Sequence, residues 1–141
     1  MIFSLFVSFL LFATTHAIAS EEGGSAGKLP ASVIATDPEL GFRLSDAAIA
    51  RLGVRFEELK GAGPWAVPKA ALVRVKRSTG VYRQSDGFIT LVLVETMGTS
   101  GDYVRIRSED LLAGDRIAVS GSGFLRVVEL ELSGGGGDSC G

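Results

Sequence analysis

The middle of the chain alternates apolar and polar side chains, a pattern that predicts β-strands. From Val54 to Glu57 apolar and charged residues alternate, as in a strand with one face in a core. Six further segments with strand-like composition are bounded by Gly, Asp or Ser: residues 72–75, 81–84, 88–95, 103–107, 116–120 and 125–132. Strands at such regular spacing predict a mainly β fold, a small antiparallel β-barrel or sandwich.

The segments between these strands predict tight turns. Ser78-Thr79-Gly80 and Ser85-Asp86-Gly87 fit hairpins, because glycine accepts the positive φ that a tight turn requires. Neighbouring strands are then expected to be antiparallel. Residues 108–115 predict a single helical turn that ends at Gly114, before the strand at 116–120.

Ahead of the strands, residues 44–53 predict one short N-terminal helix. Ser45 is placed to cap its first N–H groups, Asp46 lies at the positive end of the helix dipole, and Gly53 suits the left-handed position that ends a helix. Its apolar face consists of Ala48, Ile49 and Leu52. This face predicts packing on the core.

Residues 1–19 have the pattern of a secretory signal. Residues 1–13 are apolar apart from two serines, and Ala17-Ile18-Ala19 has the small side chains that a signal peptidase recognises. A helix of about 13 residues is roughly 20 Å long, shorter than the roughly 30 Å hydrocarbon core, which favours a cleaved signal. We therefore expect an exported protein that works outside the cytoplasm. Because no Lys or Arg precedes the apolar stretch, an uncleaved inner-membrane anchor or a buried strand is the alternative.

The rest of the chain divides into three predicted parts. Residues 20–30, rich in Gly, Ser and charge, predict a flexible leader, residues 31–132 a single β-rich domain, and residues 133–141 a Gly-rich tail. The net charge is −2, from 14 basic and 16 acidic side chains, with no long run of either sign. This balance argues against nucleic acid or anionic lipid as a partner.

Candidate catalytic groups are few. His16 is the only histidine and lies in the predicted signal, so cleavage would remove the imidazole needed for a catalytic triad or a His-based metal site in one chain. Glu109 and Asp110 lie in a predicted turn, and Glu129 and Glu131 are predicted on the solvated face of a strand. We therefore expect no enzyme activity, no cofactor and no metal site.

Two features fit either a function or a structural role. Cys140, the only cysteine, cannot form an internal disulfide, but it could join two chains or act as one soft metal ligand. Basic residues cluster around the first predicted hairpin: Lys69, Arg74, Lys76, Arg77 and Arg83. They predict either a docking patch or charges that protect an exposed strand edge from pairing.

The order of several short motifs resembles a known family. In chain order the motifs are Val67-Pro68-Lys69-Ala70-Ala71-Leu72-Val73, Gly80-Val81-Tyr82-Arg83, a long strand ending near Gly98, Val104 with Ile106, Leu112-Ala113-Gly114-Asp115-Arg116-Ile117-Ala118-Val119-Ser120-Gly121, and Phe124-Leu125. They resemble the C-terminal, membrane-proximal domain of the periplasmic adaptor subunits, or membrane fusion proteins, of tripartite efflux pumps. Residues 42–54 also resemble the stretch that precedes the lipoyl-like domain in that family.

Together with the predicted signal, the resemblance implies a periplasmic, β-rich domain that binds the periplasmic face of an inner-membrane transporter. Between Val54 and Val67 there is space for one strand and a turn, so the coiled-coil hairpin of that family has no counterpart there. The resemblance thus implies an exported accessory domain of an efflux system, and we expect its contact residues in the loops at 76–79 and 99–102.

Two other functions fit the same sequence. A self-associating envelope protein of the same fold could be joined through Cys140 or an open strand edge. A metal-handling protein would need Cys140 from several chains, since one soft ligand per chain does not complete a site.

Overall fold

The computed structural model describes residues 31–134. In this range the strands are β1 (Val33–Asp37), β2 (Gly41–Leu44), β3 (Arg55–Glu58), β4 (Trp65–Pro68), β5 (Val73–Val75), β6 (Ser78–Ser85), β7 (Phe88–Ser100), β8 (Tyr103–Arg107) and β9 (Arg116–Ser120). Helix α1 spans Asp46–Arg51, helix α2 spans Ser122–Gly134, and a 3-10 helix spans Lys69–Ala71. The predicted signal and leader, His16, Cys140 and most of the predicted tail lie outside the described residues.

The described strands form one open sheet in which every pairing is antiparallel. Its main order is β1-β2-β7-β6-β9-β3, with β5 beside the start of β6. The long strand β7 pairs with β6 through its first half and with β8 through its second half, and β4 pairs with β8. The predicted mainly β fold with one short N-terminal helix is therefore confirmed.

Hydrophobic residues cover both faces of this sheet. The first core consists of Leu59, Trp65, Val67, Ala71, Val81, Val92, Val104, Ile106, Leu111, Ile117 and Val119. The second core consists of Val33, Phe42, Leu44, Ala48, Val54, Val73, Tyr82, Ile89, Ala118 and Leu125. Neighbours such as Val81 and Tyr82 enter different cores because side chains alternate along a strand. Strands β6 and β9 are therefore buried on both faces.

Strands β4-β8-β7-β6-β9-β3 curve around the first core like an incomplete barrel. Trp65 of β4 and Ile117 of β9 belong to the same core although several strands separate them in the sheet. In the described residues β3 pairs only with β9, and β4 pairs only with β8. The barrel is therefore open between β3 and β4, and we call this opening the β3–β4 gap.

Helix α1 forms as its local signals predict. Ser45 Oγ accepts a hydrogen bond from the backbone N–H of Ala48 at 3.2 Å, which satisfies one of the open donors at the helix start. Gly53, with a φ of +64°, follows the helix end. Ala48 is buried in the second core, and Ile49 and Leu52 pack against it. The helix thus has local caps and one buried face.

The strand predicted at residues 125–132 is wrong, because this segment belongs to helix α2. Leu125, Val128 and Leu132 recur every three to four residues and pack on the second core. Leu130, which a strand would place beside Val128 and Leu132, is exposed. The segment is rich in Leu and Glu, which favour helices, and this signal competed with the alternation that suggested a strand. Neither helix of the described range is long and apolar enough to cross a membrane.

Of the two predicted turns, one is confirmed and one is wrong. Asp86 and Gly87 have φ values of +50° and +81° and join Ser85 to Phe88 in a two-residue hairpin turn. Residues 78–80 instead belong to β6, and the turn before them is at Lys76, whose φ is +56°.

Gly80 has a packing role and not a turn role. A Cβ at this position would stand 2.9 Å from Leu91 Cδ1 and 3.0 Å from the carbonyl oxygen of Val92. The absence of a side chain therefore lets β7 pack closely across β6.

The helical turn predicted at residues 108–115 is also wrong, since this segment forms irregular turns. Asp115 Oδ2 accepts a hydrogen bond from the Leu112 N–H at 2.9 Å, and the Asp115 N–H donates to the Leu112 carbonyl at 3.1 Å. The Gly114 N–H, at a φ of +93°, donates to the Leu59 carbonyl at 2.8 Å. The two Leu112–Asp115 bonds close a local turn, and the Gly114–Leu59 bond holds this turn against the end of β3.

Candidate functional site

The predicted carboxylate pairs have different surroundings. Glu109 and Asp110 lie exposed in a turn, as predicted. Glu129 and Glu131 were predicted on the solvated face of a strand, and this is wrong because both lie on α2. Glu131 is exposed, whereas Glu129 turns toward the sheet and accepts a hydrogen bond from the Tyr82 hydroxyl at 2.7 Å.

The contact between Glu129 and Tyr82 forms part of a small polar cluster with Arg126. Arg126 Nη1 donates to the same Glu129 oxygen that accepts from Tyr82. Burial raises the pKa of the Tyr82 hydroxyl, and its hydrogen bond to Glu129 raises it further. The bond to Glu129 likewise raises the pKa of the Arg126 guanidinium. The cluster therefore holds its protons firmly and ties α2 to β6, which is a structural role.

A groove of about 570 Å³ lies beside this cluster, between the β1–β2 turn, β7 and the end of α2. Phe42, Ile89 and Leu132 supply apolar lining, and Asp37 and Glu129 are among its acidic residues. Asp37 Oδ1 accepts hydrogen bonds from the N–H groups of Glu39 and Leu40, each at 2.8 Å, and these bonds lower the pKa of the Asp37 carboxyl, that from Leu40 most. The Asp37 and Glu129 carboxylates therefore already accept hydrogen bonds that stabilise the fold.

A second concave region, of about 410 Å³, is the β3–β4 gap itself. It is lined by residues of both edge strands, of the loop between them, of β8 and of β9, among them Glu57, Glu58, Lys60, Trp65, Ala66, Pro68, Tyr103, Ile117 and Val119. The indole Nε1 of Trp65 donates to the Gly61 carbonyl at 3.1 Å, which fixes the ring beside the loop that joins β3 to β4. This region combines an apolar floor with strand edges that lack a partner in the described residues.

The five basic residues that cluster in the sequence are not all brought together. Arg74, Lys76 and Arg77 are exposed at the β5–β6 turn. Arg83 lies toward the other end of β6, where it is 3.7 Å from Asp115 Oδ2 and donates to the Asp110 carbonyl at 2.8 Å. Lys69 lies in the 3-10 helix after β4. The patch at the turn therefore has three basic residues.

Residues 99–102, predicted as a loop, form the tip of the β7–β8 hairpin, where Thr99 and Ser100 still pair in β7 and Gly101 and Asp102 form the turn. Residues 96–101 are exposed and uncharged, and Met97, half exposed, lies at an irregularity in the pairing between Thr96 and Gly98. The Lys69 N–H donates to the Asp102 carbonyl at 2.9 Å, which anchors the tip to the neighbouring segment. Sequence reasoning found this loop but missed Met97, although an apolar residue beside a Gly-rich turn was the available signal.

Helix α2 has an exposed apolar stripe that sequence reasoning missed. Phe124, Val127 and Leu130, each more than half exposed, lie on the side away from the second core. The stripe was missed because the segment was assigned to a strand. Residues 31–134 contain no group of three or more His, Cys, Asp or Glu side chains that could hold a metal ion.

Comparison of the chain with family models, with curated proteins and with solved structures gave no match.

Proposed function

We propose that the chain is an exported, non-enzymatic binding module that docks on an inner-membrane transporter, in the manner of the membrane-proximal domain of an efflux adaptor. The observation that carries the proposal is the tip of the β7–β8 hairpin. At this end of the hairpin residues 96–101 are exposed and uncharged and include the half-exposed Met97, and the exposed Asp102 follows them. Protein interfaces are enriched in methionine and depleted of charge at their centres, so residues 96–101 have the composition of a contact surface.

The tip is also held in place, as a contact surface needs to be. Strand β8 pairs with β7 on one side and with β4 on the other, and the Lys69–Asp102 hydrogen bond adds a further anchor. Recognition loops on a rigid scaffold lose little conformational entropy when they bind. The order of the motifs that resemble the adaptor family supports the same partner.

Affinity capture from gently solubilised envelopes tests this proposal. The tagged chain is expected to recover an inner-membrane transporter, and Met97→Asp is expected to abolish that recovery because it places a charge at the centre of the contact. Leu112→Asp is the matched control, since Leu112 is also exposed but lies in the loop at 108–115. Recovery of the tagged chain alone, or equal effects of the two variants, would contradict the proposal.

Export has its own test. N-terminal sequencing of the protein from a periplasmic extract is expected to begin at Ser20, since cleavage after Ala19 follows the small residues of the predicted signal. A chain that retains Met1 in the membrane fraction would indicate a tethered domain instead.

The stripe on α2 favours a second function, self-association as a structural envelope protein. Phe124, Val127 and Leu130 could pack against the same residues of another copy around a two-fold axis. Val127→Glu is then expected to convert an oligomer to a monomer in analytical ultracentrifugation. A contribution from Cys140 would appear as an oligomer that reductant or Cys140→Ser dissociates.

A further inference from the structure

We infer that the exposed face of α2 binds the same face of a second copy, with the two helices side by side and parallel. The inference rests on the second proposed function, self-association, and specifies the direction of the partner helix and the ion pairs that select it. It does not involve the tip of the β7–β8 hairpin, so the two surfaces can be tested separately.

The first support is the position of each residue around α2. Successive residues of an α-helix are about 100° apart around its axis. At this spacing four exposed residues form one line along the helix: Gly123, Val127, Leu130 and Gly134. The α2 residues that pack on the second core lie on the opposite side. The line therefore runs along the middle of the exposed face, and we call it the α2 seam.

The second support is the residue types of the α2 seam. A β-branched residue such as Val127, followed three positions later by leucine, is the combination that favours two parallel helices in contact. Gly123 and Gly134 extend the seam at its two ends and allow the backbone of another helix to come close. A Cβ on either glycine would meet no other part of the described chain within 4 Å. Packing within one copy therefore requires neither glycine.

The third support is charge, which decides the direction of the partner helix. Arg126 and Glu131 flank the α2 seam on opposite sides, each about 70° from its middle. In two parallel helices related by a two-fold axis, the Arg126 side of one helix meets the Glu131 side of the other, so two identical ion pairs form. In two antiparallel helices each side meets its own copy, which brings like charges together. The pair therefore selects a parallel second copy.

Both side chains are available for this contact. Glu131 is exposed and has no ion-pair partner among the residues that the structure describes. The side chain of Arg126 is 24% exposed and uses Nη1 to bond Glu129, but a guanidinium carries five N–H donors. Glu129 is the remaining charged residue of α2, and it is turned toward the sheet, where it bonds Tyr82. It therefore does not compete for the seam.

The length of the helix limits the strength of the contact. Helix α2 has 13 residues, which corresponds to about 20 Å at roughly 1.5 Å per residue. An interface built on one helix of this length lies at the small end of specific interfaces, so we expect a dissociation constant of about 10–100 μM.

Sedimentation equilibrium over a series of concentrations tests the inference. Reductant is present throughout, so that Cys140 does not join two chains, and the full chain is expected to dimerise. Glu131→Lys is expected to weaken dimerisation about tenfold, because two attractive ion pairs become two repulsive ones. Glu57→Lys makes the same change at an exposed glutamate of β3 and should leave dimerisation unchanged.

Disulfide cross-linking measures the direction of the helices. In a Cys140→Ser background, Gly123→Cys is expected to link to itself under mild oxidation, since parallel helices bring the two copies of position 123 together. Antiparallel helices centred on the seam would hold these positions about 16 Å apart, beyond the reach of a disulfide. They would instead link Gly123→Cys to Gly134→Cys when the two variants are mixed.

Three results would overturn the inference: a monomer at every concentration, a link between positions 123 and 134, or equal effects of Glu131→Lys and Glu57→Lys. A link between positions 123 and 134 would leave self-association standing and refute only the parallel arrangement. A monomer would contradict self-association as well. Recovery of a transporter tests the first proposed function separately.

Discussion

Helix α2 and the β3–β4 gap lie against opposite faces of β9, and they differ in how their polar groups are used. On the α2 side, Ala118 belongs to the second core and its carbonyl accepts a hydrogen bond from Ser122 Oγ at 3.4 Å. On the other side, Ile117 and Val119 line the gap. In the described residues no buried side-chain nitrogen or oxygen lacks a partner.

This difference shows where the chemistry of the chain is available to a partner. The carboxylate of Glu129 is occupied by Tyr82 and Arg126, so it stabilises the packing of α2. Glu57 has no such partner in the described residues and stands beside an open strand edge. A glutamate thus stabilises the fold on the α2 side of β9, whereas another remains exposed to other molecules on the side of the gap.

The largest loss of stability is expected on the face of β9 that α2 covers. Leu125→Ala removes a side chain that is fully buried in the second core, and we expect it to lower the free energy of unfolding by about 2–5 kcal/mol. Leu130→Ala is the matched control, since Leu130 is 52% exposed, and its cost should stay below about 1 kcal/mol. Urea denaturation measures both values. Equal costs would contradict the helical packing of this segment.

A smaller effect is expected where β6 and β7 pack closely. Gly80→Ala places a Cβ 3.0 Å from the Val92 carbonyl oxygen, and because backbone cannot move easily we expect a cost of about 1–3 kcal/mol. Gly123→Ala meets no atom within 4 Å and lies in α2, so it should stabilise the protein by up to about 1 kcal/mol. Thermal unfolding distinguishes the two. A stable Gly80→Ala variant would show that the strands can separate there.

Loss of one hydrogen bond in the polar cluster between α2 and β6 should lower the free energy of unfolding by about 1 kcal/mol. Tyr82→Phe removes one hydrogen bond to Glu129 but leaves the bond from Arg126. The pKa of the Tyr82 hydroxyl is raised above its usual value of about 10. The hydroxyl therefore makes its full contribution to the free energy of unfolding below that pH, and this contribution is lost as the pH rises further.

Denaturation at several pH values checks this dependence. The unsubstituted protein should lose stability more steeply than Tyr82→Phe above about pH 10, since the Tyr82 hydroxyl ionises near that pH in the unfolded chain but keeps its proton in the fold. Parallel curves for the two proteins would argue against a buried, bonded Tyr82.

The smallest change in stability is expected beside the β3–β4 gap. Glu57→Gln should change the free energy of unfolding by less than about 0.5 kcal/mol, because Glu57 is exposed and has no ion-pair partner among the described residues. Glu129→Gln, in the polar cluster, should cost about 1 kcal/mol. Similar costs in chemical denaturation would mean that Glu57 also stabilises the fold, and the comparison between the two faces would fail.

The success of the sequence predictions depended on how far each signal reaches along the chain. Strands β8 and β9 were predicted with their observed bounds, since both alternate clearly between turn residues. Strands β1, β2 and β4 were missed, because each has only four or five residues and because β2 and β4 pair with the distant strands β7 and β8. The exposed tip at 99–102 was predicted as a loop, whereas the β3–β4 gap requires knowledge of the strand order.

The amino-acid sequence by itself determined the features that depend on a few neighbouring residues. The Ser45 cap of α1 and the Asp86–Gly87 turn are of this kind, because their hydrogen bonds and φ values are local. Only the tertiary structure decided that residues 125–132 form a helix and that Gly80 serves close packing. It also decided that Glu129 is bonded while Glu57 is exposed. Periodicity says which side chains can share a face, but the segments that pack against that face lie far away in the chain.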